Sequence, residues 1–359
     1  MKKVLFAIIV AAMALPLSAQ DDISKLSWGR IVNKMPASWY ASEHAVRLGD
    51  TLLTYQTDRG GWPKNVKWHI SINHDEMQKI RKTGIGATID NNATTTEMRY
   101  LAKVYAATGL QRFREGFLHA VSYILEAQYD NGGWPQFYPP RPNVPYSACI
   151  TYNDNAMLNV LLMLRDISGN ADYLKSLALS DSLRTAASAA FDRGIRCILD
   201  TQIKVNGKPT VWCAQHDAVT LVPAKARAYE LPSFSGAESA GLVLLLMELP
   251  NPTPEVVAAV QGAVEWFESH VIADSKFVCR QDNAGVSDAM LVHSPGNHVW
   301  ARFYDLDTGE PFFCDRDGIK RNSVEQLGDD RRNGYGWYIT SPDKVLKTYP
   351  KWKKKHNII

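Results

Sequence analysis

The chain has 359 residues, 45% of them hydrophobic, with 40 Lys plus Arg against 37 Asp plus Glu. That length supports a large core in one or two domains. The near-balance of charge gives no support to a nucleic-acid partner, so any site for a polyanion has to be local.

Met1-Lys2-Lys3, the apolar stretch from Val4 to Leu17 and the small residues Leu17-Ser18-Ala19 read as a secretory signal peptide over 1–19. The stretch is too short for a membrane span, and no other segment approaches that length. The mature protein, 20–359, is therefore expected to be one exported domain, periplasmic or secreted. Five cysteines, Cys149, Cys197, Cys213, Cys279 and Cys314, are an odd number without metal-type spacing. They read mostly as small buried hydrophobes.

A helix is predicted over 42–56, ending at Gln56 just before Gly60-Gly61-Trp62-Pro63. The same tetrapeptide recurs at Gly132-Gly133-Trp134-Pro135, and in both copies the Trp stands six residues after a Gln, Gln56 and Gln128. A looser copy runs from Gln202 to Trp212, and the Trp-to-Trp spacings of 72 and 78 residues describe a repeated unit. Each ring either plugs a helix end or forms a sugar-binding rim.

Met98, Leu101, Ala102 and Tyr105 carry a helical stripe that Gly109 ends, with Thr94 and Glu97 at capping-box spacing. A second helix through Phe113, Phe117, Val121 and Ile124 follows after a short turn. The plan repeats: 156–164 is apolar all round and 183–199 on one face, then 236–249 is apolar all round and 254–271 follows, with Ser235 and Glu238 at a second capping-box spacing. Alternation of all-round and one-faced apolar helices implies an inner ring wrapped by an outer one. The fold class is read as all-α dominated, an α/α toroid of about three helical hairpins. Its outer-to-inner loops are long, lie at one rim and are expected to be functional. Residues 275–345 read as extended and loop structure covering that rim.

Polar clusters fall on the same loops. Asp90-Asn91-Asn92 precedes the first inner helix, and Asn153-Asp154-Asn155 precedes the second. The third loop carries Gln215-His216-Asp217 and Lys225-Ala226-Arg227. Arg302 and Arg316 follow among aromatic and acidic residues, a setting suited to forked recognition of carboxylates. Asp and Asn here serve either as helix caps or as oxygen ligands for a hard cation such as calcium.

Together, Thr88-Ile89-Asp90-Asn91, Gln128 to Tyr138, Tyr152-Asn153-Asp154-Asn155, Pro223 to Glu230 and Ala301-Arg302-Phe303-Tyr304 resemble polysaccharide lyase family 10, pectate lyases on an α/α toroid. The resemblance runs in order over about 40–340. It implies cleavage of de-esterified polygalacturonate by calcium-assisted β-elimination, giving 4,5-unsaturated oligogalacturonates. By the same resemblance Arg227 is the catalytic base, Asp90 and Asp154 bind calcium, and Asn91, Lys225, Arg302 and Arg316 bind substrate. Asn92 departs from the Gly more usual after the Asp-Asn pair. A monomer without nucleic-acid partner or membrane span is expected.

The residues themselves leave other readings open. A guanidinium normally stays protonated, so Lys225 and His216 compete as bases. Asp154 with Asp217 or Glu238 resembles the acid and base of a glycoside hydrolase. A sugar-binding protein using the Trp loops is the remaining alternative.

Overall fold

The periodic segments fold as helices close to their predicted bounds. The computed structural model describes residues 23–281 and 287–358, so the expected signal peptide lies outside the described residues. In chain order the helices are α1 (Trp28–Lys34), α2 (Glu43–Tyr55), α3 (His74–Thr83), α4 (Thr95–Thr108), α5 (Gln111–Glu126), α6 (Ala156–Ser168), α7 (Asp181–Thr201), α8 (Gly236–Met247), α9 (Pro254–Ser269), α10 (Asp329–Gly334) and α11 (Pro342–Lys355). None is long and apolar enough to cross a membrane.

Three hairpins, α4–α5, α6–α7 and α8–α9, carry the core, and α4, α6 and α8 pack side by side as the inner layer. Their buried faces explain the sequence pattern: α6 buries Met157, Val160, Leu161, Met163, Leu164 and Ile167. The C-terminal α11 was not predicted. It packs on α8 and α9 through Val345 and Trp352, while Pro350 and a basic last turn obscure its stripe.

The Gln–Trp repeat is a latch between successive outer helices. Gln56 donates to Gly60 O (2.8 Å) and to Gly116 O of α5 (2.9 Å). Gln128 donates likewise to Gly132 O (3.0 Å) and Ala190 O of α7 (2.9 Å). Gln202 donates to Thr210 O (2.8 Å) and Ala259 O of α9 (2.9 Å), which makes the loose third copy a true one. Two glycines are required by close approach: a Cβ on Gly60 would stand 2.3 Å from His119 O, and one on Gly132 2.1 Å from Arg193 O, both at positive φ.

The three repeat tryptophans are fully buried. Each indole N–H donates back to the preceding outer helix: Trp62 to Leu52 O (2.8 Å), Trp134 to Ile124 O (2.8 Å) and Trp212 to Ile198 O (2.7 Å). Trp300 repeats the contact on Phe267 O (2.8 Å). These rings close helix ends, so sugar stacking on them is excluded.

The long loops are stitched together in chain order. Thr88 bridges Phe137. Ile150–Thr151 pairs with Gln215–His216, and Phe234–Ser235 pairs with Phe303–Tyr304, both antiparallel. Beyond them, Ile272–Gln281 and Ser287–Ala301 form a long antiparallel hairpin, the extended structure expected near the rim. All five cysteines are free, and Cys197, Cys213 and Cys314 are buried.

Candidate active site

Both expected capping boxes are put to another use. Neither Thr94 nor Ser235 caps its helix with its side chain. Thr94 Oγ1 instead donates to Thr88 O (2.8 Å) and accepts from Trp62 N (3.1 Å), which locks the first loop. Ser235 donates to the Glu238 carboxylate. That leaves the two glutamates, both buried at the starts of α4 and α8, free to hold other side chains.

The turns before α4 and α6 are tight. Asn91 and Asp154, their middle residues, both sit in the left-handed region at φ 51°. Asn and Asp tolerate that region better than most residues, which accounts for the amide-rich composition. The turns touch one another, so the Asp90 and Asp154 segments do converge.

Their carboxylates, however, face different surroundings. Asp90 is 1% exposed. It is ion-paired with Lys64, accepts from Gln136 Nε2 (2.9 Å) on Oδ2 and from Asn91 N (2.9 Å) on Oδ1. The Asp154 side chain is 40% exposed, held by Asn153 Nδ2 (2.9 Å). Calcium takes about six to eight oxygens. Among the described residues no cluster of three His, Cys, Asp or Glu side chains is placed to hold a metal. These residues form no closed protein cage for such an ion, and of the two acids only Asp154 is open to solvent.

Arg302 is the hub beside Asp154. Its Nη2 donates to Glu238 Oε1 (2.7 Å) and Asn153 Oδ1 (3.1 Å), with Asp154 Oδ1 at 3.5 Å. The guanidinium lies over the Tyr335 ring, 4.7 Å from its centroid. Burial is the largest single influence and works against its charge, but the acidic groups around it, Glu238 foremost with Asp154 and Glu230, together outweigh burial and raise its pKa above the usual range. Its Nε is buried without a hydrogen-bond partner.

Tyr335 joins Arg302 to Arg227. The Tyr335 hydroxyl donates to Glu230 Oε1 (2.9 Å). Glu230 in turn takes Arg227 through Nε (2.7 Å) and Nη2, a forked pair. Burial lowers the Arg227 pKa, but the Glu230 contact outweighs burial and the net value is raised. Glu230 feels burial first too, yet the Arg227 contact outweighs it and keeps its pKa low. Electrostatically, Arg227 is thus held as a cation.

Lys225 is exposed and makes no ion pair among the described residues. Arg316 is brought against the same loop by the Cys314 Sγ contact on Ala228 O (3.8 Å). Its guanidinium pairs with Asp330 (Nε 3.1 Å, Nη2 2.6 Å) at the surface, outside the Arg227–Arg302 network. Asn91 is exposed and donates to Asn65 Oδ1 (3.0 Å). His216 is removed as a base. It is fully buried, both ring nitrogens meet backbone (Cys213 N at 3.1 Å, Leu221 O at 2.9 Å), and burial pushes its pKa down to about 4.

Sequence reasoning missed Lys64, Gln136, Glu230 and Tyr335. Glu230 stands three residues after its partner Arg227 in the Lys-Ala-Arg-Ala-Tyr-Glu segment, a local signal, whereas Lys64 directly follows the first Trp-Pro and no spacing rule pairs it with Asp90. Among the hydrolase candidates, Asp217 is occupied by Val219 N (3.0 Å) and Thr220 N (2.7 Å), and Glu238 by Arg302.

A family model described as pectic acid lyase matches residues 56–346. A family 10 polysaccharide lyase from Cellvibrio cellulosa is 34% identical with a TM-score of 0.76, covering 92% of this chain and 95% of that one. A mutant of a family 10 polysaccharide lyase from the same organism, in complex with trigalaturonic acid, is 35% identical with a TM-score of 0.76, over 90% of this chain and 95% of that one. No curated protein matches. The latched hairpins, the arginine-rich rim and these likenesses agree: the chain belongs to the pectic acid lyase family and is a polysaccharide lyase.

Proposed function

We propose that the chain cleaves de-esterified polygalacturonate by β-elimination on an α/α-toroid scaffold. The C5 proton passes to a base, the C5–H electrons form the C4=C5 bond, and the C4–O bond breaks with its pair on the leaving oxygen, which then takes a proton. The single observation carrying this reading is the Arg227–Glu230–Tyr335–Arg302 chain ending beside the exposed Asp154. It ties two cations, Arg227 and Arg302, into one network of the kind that could receive an anionic sugar. C5 is a very weak acid, so charge developing on its carboxylate has to be stabilised. Arg302, held in place by Glu238 and Asn153, is suited to that contact, with Lys225 and Asn91 as outer contacts and Arg316 at the margin.

Calcium, when bound, supplies further electrostatic stabilisation of that carboxylate. Asp154 is proposed as its protein ligand. Asp90 reaches a metal only by giving up Lys64, so its proposed metal role is secondary to holding the turn.

Arg227 is proposed as the base from the family's motif, against the electrostatic bias set by Glu230. That bias favours a second reading, in which Arg227 stays a cation and the unpaired Lys225 takes the proton. Export and a monomeric state belong to the same proposal. An N-terminus retained at Met1 would remove export, and a dimer on gel filtration would remove the monomer.

The deciding experiment incubates the protein with polygalacturonate, with and without chelator, and follows ultraviolet absorption of unsaturated ends. Absorbance that rises and is lost on chelation is expected. New reducing ends without absorbance would indicate hydrolysis, and undiminished rates after exhaustive chelation would remove the metal.

A further inference from the structure

A polar cleft of about 580 Å³ opens at the Asp90–Asn92 turn. Asn91 lines it, so it starts where the site above ends, but most of its wall comes from residues that site does not use: Trp28, Asn65, Lys67, Glu97 and Arg99. Trp28, half-buried at the start of α1, is fixed on two sides. Its indole N–H donates to Glu97 Oε1 (2.8 Å), and its ring tilts over Tyr100 at 5.0 Å. Glu97 also accepts from Trp68 Nε1 (2.9 Å) and is 2% exposed. A carboxylate buried this deeply is costly unless its position matters. Its consequence here is a Trp28 ring locked at the cleft wall.

Two cations line the cleft, Lys67 and Arg99. Lys67 is exposed and has no ion-pair partner among the described residues. The nearest carboxylate to Arg99 is Asp166, at 4.0 Å. An aromatic ring held in place, side-chain amides and cations, of which Lys67 is unpaired among the described residues, are what an anionic sugar needs: a face for its C–H groups, partners for its hydroxyls and counter-charges for its carboxylates.

We propose that this cleft is a distal subsite for further galacturonate residues of the polymer, with Trp28 against a sugar face, Lys67 and Arg99 on carboxylates, and Glu97 as the residue that positions Trp28. The proposal rests on the polygalacturonate reading and deepens it, since it makes the chain prefer long substrates.

The test compares kinetics on trigalacturonate and hexagalacturonate. Lys67→Ala, at an exposed position, is expected to lower kcat/KM on the hexamer by about tenfold, the equivalent of one good contact. The trimer should change less than about twofold, within the range of ordinary surface substitutions. Trp28→Ala and Glu97→Ala should show the same length dependence, and Glu97→Gln, which keeps the acceptor, should restore it. Equal losses on both lengths, or none on either, would overturn the subsite. If the wild type released no unsaturated product from either oligomer, the lyase reading would fail separately. Calorimetric binding of the same oligomers would then decide, a hexamer-only loss in Lys67→Ala supporting the subsite and unchanged affinities removing it.

Discussion

The turns before α4 and α6 share a backbone and divide their charges differently. Asn91 and Asp154 occupy the same left-handed position, at φ 51° with ψ 38° and 30°, and Asn92 and Asn155 follow at φ 63° and 60°. Asp90 and Asn153 are the buried first residues. Each buried residue receives a cation from elsewhere in the chain, Lys64 on Asp90 and Arg302 on Asn153. In the first turn the acid is therefore inside and neutralised, and an amide faces out. In the second the amide is inside and the acid faces out. A repeated backbone device has been made structural in one copy and available to a ligand in the other, by exchanging Asp and Asn within three residues.

The largest effect that would sharpen this contrast lies beside the open turn. Arg227→Lys keeps a positive charge but loses the forked contact with Glu230, so a base in this position should lose roughly 10²–10⁴-fold in turnover. Turnover within a few-fold of wild type, measured on polygalacturonate, would transfer the base role to Lys225.

Arg302→Ala removes the cation that the second turn shares with Glu238. A loss on the order of 2–5 kcal/mol in transition-state stabilisation is expected, because Glu238 is left buried and unpaired. Wild-type kcat/KM would make Arg302 a purely structural strut.

At the start of α4, Glu97 adds a pH dependence. Burial raises its pKa from 4.5 to about 7. The folded state thus binds this proton more tightly than the unfolded chain does. Its contribution to stability is full below the unfolded value and is lost as pH rises through about 7. Between those limits the difference is on the order of 3 kcal/mol. Glu97→Gln should flatten this part of the stability curve, and identical melting profiles for the two proteins at pH 5 and pH 8 would disprove it.

Asp90→Asn and Asp154→Asn test the exchange directly. The first should cost about 1–3 kcal/mol of stability, since Lys64 loses its partner. The second should leave stability nearly unchanged and weaken calcium dependence. The comparison breaks if the two variants behave alike in melting and in calcium titration.

The smallest effect belongs to Arg316→Ala. Its exposed pair with Asp330 is screened by water, so KM should rise by less than about fivefold. A greater rise would bring Arg316 into the substrate contacts proper.

Much of the molecule was legible in the chain itself. Helix period and the Gln–Trp repeat placed α2 and α4 to α9 within a few residues, because apolar stripes and glycines at fixed intervals are local properties. The polar clusters that hold Asp90, Asp154, Arg227 and Arg302 are visible in the chain for the same reason, while the roles proposed for these residues come from the family resemblance. Three things were decided only by tertiary structure. The repeat tryptophans point into helix ends, since an indole N–H buried with a ring of that size requires a carbonyl partner. The glutamates at capping-box spacing also serve Trp28, Trp68 and Arg302, side chains that arrive from distant segments. The partners Lys64 and Tyr335, which cover Asp90 and join Arg302 to the Arg227–Glu230 pair, come from segments 26 and 105 residues away from the carboxylates they meet. Spacing along a chain carries no information about such pairs. Only the stitched loops, closing one hairpin onto the next, bring their charges within range.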